Sequence, residues 1–172
     1  MIQVSKTNLE GVLQVVPDIF TDFRGQFVET YSEKLYKENG IDATFVQDDI
    51  SYSKKDVLRG IHGDNETAKL LSCLYGKLYF VVVNCDEESK DFGKWQSFIL
   101  SDENRMQIFV PPKHGNAYLV LSPDGLFSYK QSTYFTHGRQ FSYRWDDPRF
   151  NISWPIQNPI LSERDKAGHY VK

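Results

Sequence analysis

Residues 58–70, LRGIHGDNETAKL, bring Arg59, His62 and Lys69 within thirteen positions of one another. An imidazole exchanges its proton near pH 7. A guanidinium and an ammonium hold anionic groups or an anionic intermediate. That mixture suits acid–base chemistry on a phosphorylated or nucleotide-linked substrate better than it suits a structural module. As a general base, His62 needs a neighbouring acceptor to fix its tautomer.

Other residues invite chemical readings. His114 lies in PPKHGN, His137 in THGR and His169 near the end of the sequence. With His62 they could form a metal site, yet they make no HxH or HxxxH pair, so no metal is expected. Arg24 in DFRGQF and Arg59 in LRG sit beside apolar residues and glycine, which marks them as candidate clamps for a diphosphate. Tyr129 and Tyr134 differ in parity along the strand expected for FSYKQSTYF, so one of them should point inward. It is either a packed tyrosine or a phenol that donates a proton to a carbanion. Lys54 and Lys55 read as solvated surface. Asp146-Asp147-Pro148 reads as a turn, and SERDK, residues 162–166, as a solvated tail.

The elements that must position these residues are mostly strands. VLQVVPDIF, residues 12–20, is expected as a first strand closed by Pro17. Residues 27–40 begin extended and turn helical at Ser32, with Gly40 near the stop. The six apolar residues from Leu78 to Val83 predict a fully buried strand. WQSFILS and RMQIFVP flank the turn SDEN, and Pro123-Asp124-Gly125 separates two further strands. Many short strands with one convincing helix predict an all-β jelly-roll barrel with short peripheral helices.

Composition bounds the function class. The 172 residues fit one domain, with 40% hydrophobic and 25% charged residues and a net charge of -3. A general nucleic-acid binder is not expected. Cys73 and Cys85 lie in or beside apolar runs, which reads as buried free thiols in a reducing compartment. No apolar run reaches membrane-spanning length, and the first residues lack a signal-peptide layout. These features predict a cytoplasmic protein with no membrane partner. Residues 145–172, rich in proline, are expected to pack over the barrel as part of a single domain spanning 1–172.

FRGQFVETY, FVQDDISYSKKDVLRGIH, AKLLSCLYGKLYFVVVN, FGKWQSFILSDENRMQIFVPP, YKQSTYF, WDDPRFNISWP and PILSERD, in this order and spacing, resemble the dTDP-4-dehydrorhamnose 3,5-epimerase family, the RmlC-like cupins. The resemblance covers nearly the whole chain. It implies a jelly-roll fold, a homodimer with exchanged N-terminal strands, no cofactor, and epimerisation beside the 4-keto group of a nucleotide-linked 6-deoxy sugar. It matches the family's catalytic histidine to His62, its orienting aspartate to Asp165, its tyrosine to Tyr134 and its enolate-holding lysine to Lys69. Substrate contacts are implied at Arg24, Glu29, Gln47 and Arg59.

The departures are specific. Ser72 stands where the family usually has arginine, and Phe80 where it has aspartate, and both changes suggest a pocket altered for a different sugar or nucleotide. The family's second histidine falls at Asn116, with His114 two residues away, and both are expected as substrate contacts. Gly63-Asp64 replaces an aromatic and a glutamine. The wording HGDNET and PPKHGNAY resembles the branch acting on GDP-linked 4-keto heptoses in bacterial capsule synthesis, and that substrate is the expectation. Inversion at C3 only, a dTDP-hexose substrate, a 3,4-ketoisomerase, a metal-dependent cupin and a non-catalytic sugar-nucleotide binder are the alternatives.

Overall fold

A computed structural model describes residues 1–171. Thirteen strands and two short helices follow in order: β1 (Ile2–Lys6), β2 (Leu13–Pro17), β3 (Ile19–Asp22), β4 (Gly25–Val28), α1 (Glu33–Glu38), β5 (Gln47–Lys54), β6 (Leu58–Gly63), β7 (Lys69–Tyr75), β8 (Lys77–Asn84), β9 (Trp95–Ser101), β10 (Gln107–Val110), β11 (His114–Val120), β12 (Asp124–Gln131), β13 (Phe141–Ser142) and α2 (Glu163–Lys166). The first strand expected at 12–20 is in fact the second. Asp18 separates β2 from β3, and β1 precedes both. The helix starts as expected behind Ser32 and ends at Asn39, before Gly40.

The expected closed barrel does not form. The strands make a six-stranded sheet in the order β1-β2-β10-β7-β12-β5, a five-stranded sheet in the order β13-β6-β11-β8-β9, and a separate β3–β4 hairpin. Closure would need hydrogen-bonded ladders between the outer strands of the two large sheets. Among the described residues, β1, β5, β9 and β13 each pair with one neighbour only. Strand spacing alone does not separate a closed barrel from two facing sheets.

Apolar side chains hold the sheets face to face. Leu71, Cys73, Ile108 and Phe127 from the larger sheet meet Leu78, Phe80, Val82, Leu100 and Val120 from the smaller. The outer face of the smaller sheet is covered too. Ile61, Val81, Val83 and Ala117 pack under Phe150, Ile152, Trp154 and Val171 of the last third of the chain. Burial on both faces explains the unbroken apolar run of β8. On the outer face of the larger sheet, Tyr36 of α1 and Ile41 cover Val15 and Leu70. No helix among the described residues is long and apolar enough to cross a membrane.

Candidate active site

One end of the inter-sheet space is polar and open. It forms a cavity of about 260 Å³. Period-two alternation supplies much of its wall: Lys69 and Leu71 from β7, Phe127, Tyr129 and Gln131 from β12, and Asn116 and Tyr118 from β11. Arg59 and His62 of β6 also line it, although residues of opposite parity should face opposite sides. The register of β6 against β11 resolves this. Asn116 lies opposite His62 but Tyr118 lies opposite Arg59, so the ladder carries a bulge between them. Gly60 makes that bulge possible. Its φ is +127°, and a Cβ there would stand 2.4 Å from Cβ of Ala117.

His62 Nε2 lies 2.7 Å from Asp165 Oδ1. The ring's N–H direction at Nε2 misses hydrogen-bond geometry in this arrangement. Asp165 is only 2% exposed. Ser162 caps α2, accepting from the Asp165 N–H at 3.2 Å and donating its hydroxyl to Oδ2 at 2.7 Å. The backbone N–H of Gly60 approaches Oδ1 at 3.4 Å. Burial alone would raise the carboxyl's pKa. The contacts from His62 and Ser162 outweigh it and hold the group below its ordinary value.

Lys69 belongs to the opposite sheet and is 6% exposed. Its Nζ reaches across the cavity to Asn116 Oδ1 at 3.5 Å. Burial pushes its pKa down, with Asp64 opposing that shift and Arg164 adding to it. Arg59 donates from Nε to Ser53 Oγ at 3.0 Å, and the hydroxyls of Ser51 and Tyr118 lie 2.6 Å apart. Tyr129's pKa is raised, chiefly by burial.

Several anticipated residues lie elsewhere. Arg24, in the β3–β4 hairpin, is exposed and paired with Asp22 at 2.6 Å. Glu29 follows that hairpin and is exposed. Neither lines the cavity. Gln47 does not line it either, although its Oε1 accepts from the N–H of Phe135, which does, at 2.8 Å. His114 is buried at the start of β11 against the Pro112 carbonyl at 3.1 Å, outside the lining. Tyr134 is not on a strand. β12 ends at Gln131, and Tyr134 is 70% exposed on the following loop, while its neighbour Phe135 lines the cavity.

Sequence reasoning passed over Tyr118, Ser51, Gln131, Gln140 and Arg164, all of which line the cavity. Parity with Asn116 and with Tyr129 could have found Tyr118 and Gln131. Arg164 stands next to Asp165 but was read as tail. The two departures thought to alter the pocket do not line it. Ser72 lies on the other face of β7, with Leu70 and Leu74, and Phe80 is wholly buried in the core. Among the described residues, no three His, Cys, Asp or Glu side chains gather into a metal-sized cluster.

Comparison with known proteins places this geometry. A family model described as dTDP-4-dehydrorhamnose 3,5-epimerase matches residues 6–172. The dTDP-4-dehydrorhamnose 3,5-epimerase of Salmonella typhimurium is 39% identical over 172 residues, covering 97% of this chain and 94% of its own. A crystal structure of dTDP-6-deoxy-D-glucose-3,5-epimerase from Legionella pneumophila, in complex with dTDP-4-keto-L-rhamnose, is 35% identical with a TM-score of 0.94, covering 99% of this chain and 93% of its own. A Bacillus anthracis dTDP-4-dehydrorhamnose 3,5-epimerase with TDP and pyrophosphate bound is 31% identical with a TM-score of 0.96, covering 99% and 100%. These matches overturn the expected GDP-heptose branch, because the proteins found are named for dTDP-linked sugars. Of the wording that suggested heptose, only His62, Asn116 and Tyr118 reach the cavity wall. Asp64 is engaged in a turn and His114 is buried beside Pro112.

Proposed function

The chain belongs to the dTDP-4-dehydrorhamnose 3,5-epimerase family and is a carbohydrate epimerase, and from that premise we propose that it inverts C3 and C5 of a dTDP-linked 4-keto-6-deoxy hexose. The observation that carries this reading is the pairing of His62 with the buried Asp165 on one wall of a cavity whose other wall holds Lys69.

A 4-keto group acidifies the protons on both neighbouring carbons. His62, held through Nε2 by Asp165, takes one of them on its remaining nitrogen. The imidazolium then gains the carboxylate's charge. The electron pair left on carbon moves to the carbonyl oxygen, where the Lys69 ammonium stabilises it. A preorganised cation in a partly dry site is worth several kcal/mol of barrier, on the order of an oxyanion hole. A tyrosine returns a proton to carbon from the wall opposite His62, and opposite-face return inverts the centre. Tyr134 is the acid in this reading, with Tyr129 on the adjoining strand as the competing phenol. Arg59 and Arg164 supply the positive charge that a diphosphate needs.

The reading includes a homodimer with exchanged N-terminal strands. Arg24 and Glu29 lie off the cavity of their own chain. Among the described residues the β3–β4 hairpin pairs with no other strand, and it exposes Phe20, Phe23 and Phe27. A second copy would bring these residues to the mouth of the site.

The test is incubation with dTDP-4-keto-6-deoxy-glucose in deuterated water, followed by NMR. Deuterium at both C3 and C5 with inverted product is expected. Deuterium at C3 alone would reduce the activity to a single epimerisation, and no exchange at either carbon would refute the reading.

A further inference from the structure

Of the segment HGDNET only His62 lines the cavity, and residues 63–67 lie outside it. Asp64 is 4% exposed and lies in the turn after β6. Its Oδ1 accepts the backbone N–H groups of Glu66 at 2.9 Å and Thr67 at 2.6 Å. The turn so folded presents the Thr67 hydroxyl to Thr133 Oγ1 at 2.6 Å. One residue on, Ala68 exchanges two bonds with Ser132: its N–H meets Ser132 Oγ at 2.8 Å, and its carbonyl accepts the Ser132 N–H at 2.9 Å. These contacts grip residues 132 and 133, directly before Tyr134 and Phe135.

We infer that Asp64 is a positioning residue: it folds the turn whose Thr67 and Ala68 brace the segment leading to Tyr134. This rests on the proposed role of Tyr134.

The test compares the full chain with Asp64→Ala, Thr67→Val and Thr67→Ser. Alanine removes the acceptor of both N–H groups, valine removes the hydroxyl that meets Thr133, and serine restores it. Asp64→Ala and Thr67→Val should each lose about tenfold in kcat, as a displaced acid would, with KM held, and Thr67→Ser should recover the unaltered rate. Unaltered turnover in Thr67→Val, or no recovery in Thr67→Ser, overturns the brace. If the unaltered chain turns over no dTDP-linked sugar, the functional reading fails, while hydrogen exchange at the Tyr134 N–H, expected to be faster in Thr67→Val, still judges the brace.

Discussion

His62 and Asp165 meet at 2.7 Å although one belongs to a strand of the smaller sheet and the other to the last short helix. The meeting depends on both partners' surroundings. The β6 bulge at Gly60 turns His62 inward, and Ser162 caps the helix so that Asp165 faces it.

Removing either partner should abolish most activity. His62→Asn is expected to lower kcat by about 10²–10⁴, the usual worth of a general base. Asp165→Asn should lower it less and alter the acid limb. It should also change stability in a defined window. The carboxyl is depressed in the folded protein, so its contribution is present above the unfolded value and is lost as pH falls through the folded one. Acid unfolding followed by circular dichroism should therefore be shallower in Asp165→Asn. Equal slopes would show that the pair does not tune stability.

Lys69 predicts opposite effects on rate and stability. Its depressed pKa means that the unfolded chain binds a proton more readily than the native one, between the folded and unfolded values. Stability should therefore rise with pH across that window, while activity falls as the ammonium is lost. Lys69→Met should drop kcat by about 10²–10³ and raise the melting temperature, because a buried cation is replaced by an apolar side chain. Steady-state kinetics and calorimetry on the same sample check both signs.

The two tyrosines make separable predictions. Tyr134→Phe should keep deuterium exchange at carbon while losing inversion, because His62 still removes and returns the proton on its own face. Tyr129→Phe should leave inversion in place and raise KM, because its ring lines the cavity. The reverse pattern in product stereochemistry would transfer the acid role to Tyr129.

Gly60→Ala tests the bulge. A methyl group there would press on Ala117 at a φ that L-residues avoid. A loss of about 1–3 kcal/mol, typical of overpacking, should appear in urea denaturation, together with a loss of kcat as His62 shifts from Asp165. Full activity with unchanged stability would show that the backbone here relaxes freely.

The sequence by itself determined the strands, because alternating and continuous apolar runs record which faces are buried. The run from Leu78 to Val83 reads correctly, since both faces of its sheet are covered. It also named His62, Lys69, Arg59 and Asp165, which the fold brings to one cavity, the last only through the family resemblance. It misread Tyr134 as a strand residue, because nothing local announces that β12 stops at Gln131. It credited Ser72 and Phe80 with reshaping a pocket that neither of them lines.

Tertiary structure alone decided three things. Two open sheets formed instead of a barrel, because edge pairing is a long-range event that strand spacing does not encode. Arg59 and His62 came to one wall through a bulge, although their parity puts them on opposite sides. Asp165, placed in what composition reads as a solvated tail, is buried beside His62 because a capped helix docks there. Each outcome depends on residues far apart in the chain, and only their packing fixes it.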